Sequence, residues 1–241
     1  MARSPRKPAT GKTRSSAPKT QSSVPGEKPE RERIIDAFMG LLGEQPIEEI
    51  GWAEIAGRAG VSLAALRNLY GAKLAILAAF QKEVDRQVLA GIDTDMAEEP
   101  PRERLFDVLM RRIDALSPHK AAVRSLIRSA SRNPGLAVAL NGLAVRSQQW
   151  MLTAADISAS GPRGMVRAQG LALLFASVLR TWLRDDDPGL ARTMSALDRA
   201  LARGQRLLGF LDDLCRIPAC VSRVRPSRRR RDADEEDTVA A

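Results

Sequence analysis

The chain has 241 residues, with 38 Lys plus Arg against 29 Asp plus Glu and a formal net charge of +9. That length can bury a substantial core in one large domain or two small ones. Two Cys exclude a disulfide scaffold, and the single His, His119, excludes any centre that needs two.

Residues 1–28 carry a net charge of +6, with Pro5, Pro8, Pro18 and Pro25 among Ser, Thr and Lys. With almost nothing to bury, this basic tail is expected to be disordered. Beside a DNA-reading domain it adds phosphate contacts and salt dependence; otherwise it is a solvated leader. No apolar h-region follows, so it does not read as a secretory signal. The run Leu171 to Leu179 ends at Arg180, short of the roughly 20 residues of a membrane span. A cytoplasmic protein is expected.

Ala, Leu and Arg dominate and aromatics are 4%, a bias toward helix over strand. Pro and Gly divide the rest into segments with helical spacing. The first, 29–44, has Ile34, Ile35, Phe38, Leu41 and Leu42 on one stripe, and Pro29 suits its first turn. A short helix over 51–58 turns Trp52, Ile55 and Ala56 inward. Gly60 takes the turn after it, and Ser62 is a natural N-cap for a third helix, 63–70. A fourth helix covers 73–89, with Leu74, Leu77, Phe80, Val84 and Val88 at spacings of three and four. Longer helices follow over 101–117, 119–132, 136–157, 163–184 and 188–214. The pattern predicts an all-α chain of about nine helices.

Two short helices joined by a Gly-containing turn, between two longer ones, are the helix-turn-helix layout. The second short helix must protrude into a major groove, held by a small core of Ile34, Phe38, Ile55, Val61, Leu66 and Tyr70. Ile55-Ala56, Ala59-Gly60-Val61-Ser62, Leu66, Tyr70, Lys73 and Ile76-Leu77 resemble the signature of the TetR family of bacterial transcription regulators. The resemblance implies an N-terminal three-helix DNA-binding domain, 29–75. It implies a larger helical ligand-binding and dimerisation domain, 76–217, and a charged, disordered tail follows at 218–241.

By that resemblance the recognition helix is 63–70, with Leu63, Ala64, Ala65, Arg67 and Asn68 as its exposed positions. Arg67 is placed to take guanine and Asn68 adenine. Lys73, Arg31 and Arg33 are expected to hold phosphates. Ser62 belongs to the same DNA-binding set, chiefly as a cap. The chain departs from the family pattern at Ile50-Gly51, Leu63, Ala65, Arg67 and Ala72, where the family carries hydroxyls or other polar groups. The implied partners are double-stranded DNA, a second copy of the chain and a small apolar ligand. The implied function is that of a ligand-responsive regulator, most often a repressor.

The C-terminal half is also similar to lipid-binding accessory proteins of ubiquinone biosynthesis, which use a TetR-like fold without DNA binding. The similar stretches are Arg104-Leu105 through Leu116-Ser117-Pro118, Trp150, and Asp185 to Gly189. Membrane contact belongs to that alternative alone. The last helix sets Leu197, Leu201, Leu208, Leu211 and Leu214 near one side, a stripe that serves a dimer seam or, in the alternative, a membrane surface.

No phosphate loop, no nucleophile–base pair and no metal-ligand set stands in the sequence, so neither an enzyme nor a cofactor is expected. His119 reads as a surface or capping residue, and Cys215 and Cys220 as reduced thiols. Asp185 to Asp187 read as a helix stop that leaves negative charge at the start of the next helix. Trp150, Met151, Met165 and Trp182 read as core or pocket lining.

Overall fold

The computed structural model describes residues 28–92, 96 and 98–216, with side chains as far as residue 206. The expected tails at 1–28 and 218–241 therefore lie outside the described residues, except for Lys28. So do the thiols of Cys215 and Cys220 and the leucines beyond Leu201 in the last helix.

The described residues form nine α-helices: α1 Glu30–Glu44, α2 Trp52–Ala59, α3 Leu63–Leu69, α4 Lys73–Ala90, α5 Pro101–Leu116, α6 Lys120–Arg132, α7 Pro134–Ala154, α8 Gly161–Trp182 and α9 Ala191–Arg216. One turn of 3₁₀ helix, Ser117–His119, joins α5 to α6. Among these residues there is no strand, and no single helix is long and apolar enough to cross a membrane. The helices begin and end within a few residues of their predicted places. Where they differ, caps decide. α7 starts at Pro134 because the Asn133 carboxamide oxygen accepts from the Leu136 N–H at 3.0 Å. α9 starts late because the preceding acids hold an ordered turn: Asp187 accepts from the N–H groups of Gly189 and Ala191.

Two apolar cores result. The first gathers Ile34, Phe38, Leu42, Ile50, Ile55, Leu66 and Ile76, all almost wholly buried, and is closed from outside by Ala122 of α6. The second gathers Leu109, Ile113, Met151, Trp182 and Leu197 from α5, α7, α8 and α9. α4 belongs to both: Ile76, Leu77 and Ala79 lie in the first core, Val84 and Val88 in the second. A boundary at 75/76 thus falls inside a continuous helix.

Three expectations change. Trp150 and Met165, read as core or pocket lining, are exposed on α7 and α8, whereas Met151 and Trp182 are fully buried. Helical period places Trp150 on the face turned away from the second core. Leu197 and Leu201 of the last helix are buried within the chain itself, so this part of the leucine stripe is spent on α8 and α5 and is not free for a partner. His119 does stand at the N-cap position of α6, but its side chain makes no cap and is half-buried, packed edge-to-face with Phe80 (ring centroids 4.8 Å apart) at the junction of the two cores.

The second core also holds charge. Asp85 of α4 is buried beside Arg112 of α5, which donates to it, and the Ser147 hydroxyl of α7 donates to the same carboxylate oxygen at 2.6 Å. The Arg112 guanidinium also lies 5.7 Å from the centre of the Phe175 ring. Arg112 Nε and the buried Gln148 Oε1 next to Ser147 have no hydrogen-bond partner.

Candidate nucleic-acid interface

Local chemistry fixes the α2–α3 pair. Glu54 reaches back to accept from the N–H of Gly51 at 3.3 Å, satisfying a donor at the start of α2. At the other end Gly60 adopts φ 63° and ψ 36°, the left-handed conformation that costs a residue with Cβ and suits glycine. The N–H of Val61 then donates back to the Ala56 carbonyl at 3.0 Å. Ser62 caps α3, its Oγ accepting from the Ala65 N–H at 3.1 Å, as the sequence predicts.

α3 is anchored by one side only. Leu66 is buried in the first core, and Tyr70, just past the helix, is buried beside it. The Tyr70 hydroxyl has no hydrogen-bond partner, and burial pushes its pKa up, against the nearby charge of Arg31. The Arg31 guanidinium stands over the Tyr70 ring at 5.6 Å, bringing α1 beside the end of α3.

The opposite side of α3 is open. Leu63 is 55% exposed, and Ala64, Arg67 and Asn68 are exposed as well. A 100° step per residue puts these four on one continuous face. Ala65, expected among them, is half-buried because the same step turns it toward the Leu66 side. Two exposed apolar residues were not anticipated at this surface, Leu69 at 40% and Trp52 at 39%. Trp52 had been expected to face inward. It is the first residue of α2, where no preceding turn covers it. A cleft of about 390 Å³ opens between Trp52, Leu63, Leu66, Arg67, Tyr70 and Gly71.

The cations sit around this face. Arg67 folds over the chain after α3: a Cβ at Gly71 would lie 3.2 Å from an Arg67 guanidinium nitrogen. Lys73 is partly buried, and its ammonium donates to the Ile47 carbonyl at 2.8 Å, tying the start of α4 to the α1–α2 connection. Two further N–H donors of that ammonium remain for other acceptors. Arg31 is exposed and Arg33 half-buried. Arg58 is paired with Glu44 at 2.7 Å, which holds that carboxyl below its ordinary value.

The head is joined to the rest by polar links as well as by α4. Ser125 of α6 donates to the Gln45 carbonyl at 3.1 Å and Ser129 to the Glu48 carboxylate at 2.9 Å. These residues line a cleft of about 600 Å³ between the end of α1 and α6. Further on, Arg124 and Lys120 of α6 donate to the carbonyls of Leu183 and Asp185, each at 2.7 Å. Asp185 itself accepts from the Thr193 N–H and hydroxyl, and the hydroxyl is the larger cause that keeps its pKa low. α6 therefore touches both the helix-turn-helix unit and the connection between α8 and α9. Among the described residues no group of acidic, His or Cys side chains is placed to hold a metal.

No family model matches the sequence, and no curated protein matches it. Solved structures do. The chain is similar to a TetR transcriptional regulator from Nitrosomonas europaea, with TM-score 0.59 and 22% identity over 74% of this chain and 99% of that one. It is similar to a TetR transcriptional regulator from Rhodococcus sp. RHA1, with TM-score 0.53 and 23% identity over 73% of this chain and 95% of that one. A second Rhodococcus transcriptional regulator gives TM-score 0.51 and 20% identity, over 74% and 97%. These comparisons do not favour the lipid-binding alternative. The chain has the fold of the TetR transcriptional regulators, a helix-turn-helix unit followed by a larger helical domain.

Proposed function

We propose that this protein is a DNA-binding transcriptional regulator of the TetR type. The observation that carries the reading is the geometry of α3, which is anchored by Leu66 and Tyr70 on one side and presents Leu63, Ala64, Arg67 and Asn68 on the other. Residues 29–75 form the reading head and 76–217 the responding domain. The DNA-facing set is Arg31, Arg33, Ser62, Leu63, Ala65, Arg67, Asn68 and Lys73, with Ser62 acting as a cap and Ala65 as support behind the face. Two copies would place their α3 helices in successive major grooves about 34–36 Å apart. The exposed Val166 and Leu173 of α8, with Gly170 and Ser177 between and after them, supply an apolar stripe for pairing with a second copy.

A ligand in the second domain completes the reading. The buried Asp85–Arg112–Ser147 group, with unpartnered atoms on Arg112 and Gln148, sits on helices α4, α5 and α7. Because α4 also carries the head, a ligand that binds one position of α4 better than another shifts how the heads are spaced. We assign repression to the form without ligand, a cytoplasmic location, and no reaction.

Selection of duplexes from a random pool by the purified full chain tests this reading. The expected result is a two-fold related pair of half-sites about one helical turn apart, or a multiple of that. Enrichment of no sequence over the pool would overturn it.

A further inference from the structure

We infer that α3 recognises thymine through its 5-methyl group, with Leu63 and Ala64 selecting A·T pairs in each half-site. This rests on the DNA-binding role proposed above and adds which bases that surface takes.

In a helix-turn-helix unit the first residues of the reading helix meet the base edges. Here they are Leu63 and Ala64, both exposed and both without a side-chain donor or acceptor. Hydrocarbon pressed against the N7 and O6 of guanine or the amino group of cytosine strips those groups of water and returns no hydrogen bond. The major groove offers one apolar group, the thymine methyl. A hydrocarbon first turn is therefore complementary to thymine and opposed to G·C.

The remaining residues agree with this assignment. Asn68 lies one turn beyond Ala64 on the same row of the helix and is exposed, placed for the two-point contact to adenine. Arg67, which would otherwise favour guanine, is drawn along Gly71 and away from the first turn. Arg31 stands over the ring of Tyr70, just past the end of α3. The surface thus has hydrocarbon at its centre and cations at its rim. Duplex DNA presents the matching arrangement, methyl groups on the groove floor and phosphates along its edges. Trp52 and Leu69 extend the apolar area at the margin.

The test uses the full chain and the duplex it selects. Each thymine of the half-site is replaced in turn by deoxyuridine, which removes only the methyl group. The expected result is a loss of about fourfold in affinity at the one or two thymines under the first turn, the worth of one buried methyl. Leu63→Ala should bind the thymine duplex more weakly and bring the thymine–uracil difference close to unity. Leu63 is more than half exposed, so the variant keeps its helix content, which circular dichroism verifies. Arg67→Ala should weaken all duplexes alike and flatten the salt dependence. A selected site with G·C pairs under the first turn overturns the inference. So does an unchanged affinity for every uracil duplex while sequence selectivity persists, or relaxed choice at a guanine in Arg67→Ala. A chain that prefers no duplex at all overturns the DNA-binding role itself, a different and recognisable outcome.

Discussion

The two cores of this molecule are built on different principles. Around α1, α2 and α3 the buried side chains are almost wholly apolar, and the polar work is done at the edges, by Glu54, Gly60 and Ser62 at helix ends. The second core surrounds a carboxylate and a guanidinium, with the Ser147 hydroxyl donating to the carboxylate and Gln148 lacking a partner for its oxygen. Among the described residues the first core holds no buried ion pair, with the Tyr70 hydroxyl unpartnered at its edge, and its apolar contacts hold α3 out. A core with a buried charge pair and unmet hydrogen-bonding atoms is held less economically. The contrast separates a part that presents a surface from a part that holds buried charge. α4 runs through both.

The largest effect should come from the second core. Asp85→Ala leaves Arg112 buried without its carboxylate and should cost about 3–5 kcal/mol in chemical denaturation. Replacing Asp85 and Arg112 together by Leu and Met should recover most of that loss, because neither charge is then left buried without the other. In the head, Leu66→Ala empties the anchor of α3 and should cost about 3 kcal/mol. It should also reduce DNA affinity for every sequence. Gly60→Ala has open space around it but must adopt φ 63°, so strain alone should cost about 1–2 kcal/mol. Ser62→Ala removes the cap of α3 and should cost about 1 kcal/mol, read from the same denaturation curves.

The smallest effect lies at the junction. Burial lowers the pKa of His119 from its ordinary 6.5, against the opposing influence of Asp36. The folded state therefore binds this proton less readily than the unfolded state. Stability from this residue is fully present above pH 6.5 and falls as the pH drops below it, toward the lowered folded value. His119→Gln should flatten stability between pH 7 and pH 5. An unchanged slope in that variant would show that another group titrates there.

Much of the fold was legible in the residues. Apolar spacing gave the nine helices, and Gly60 and Ser62 marked a turn and a cap because their local chemistry acts within four residues. Leu66 and Tyr70 were correctly placed in the core. Other features were not legible. Trp52 reads as core by its hydrophobicity, yet at the first turn of α2 it stays 39% exposed on the edge of a cleft. Leu197 and Leu201 read as a seam, but the stripe they form cannot state whether its partner is the same chain or another. Asp85 and Arg112 are 27 residues apart, and no periodicity links an acid on one helix with a base on the next. Lys73 carried the expectation of a phosphate contact, while its bond to the Ile47 carbonyl depends on where the α1–α2 connection passes.

Order along the chain alone settled the helices, their ends to within a few residues and the identity of the protruding segment, since each rests on contacts between near neighbours in sequence. Which side of every helix finds a companion, which charges meet in the dark between them, and where Arg67 lays its guanidinium were decided only when distant segments came together. Those outcomes depend on packing geometry, and a linear pattern of residue types does not contain it.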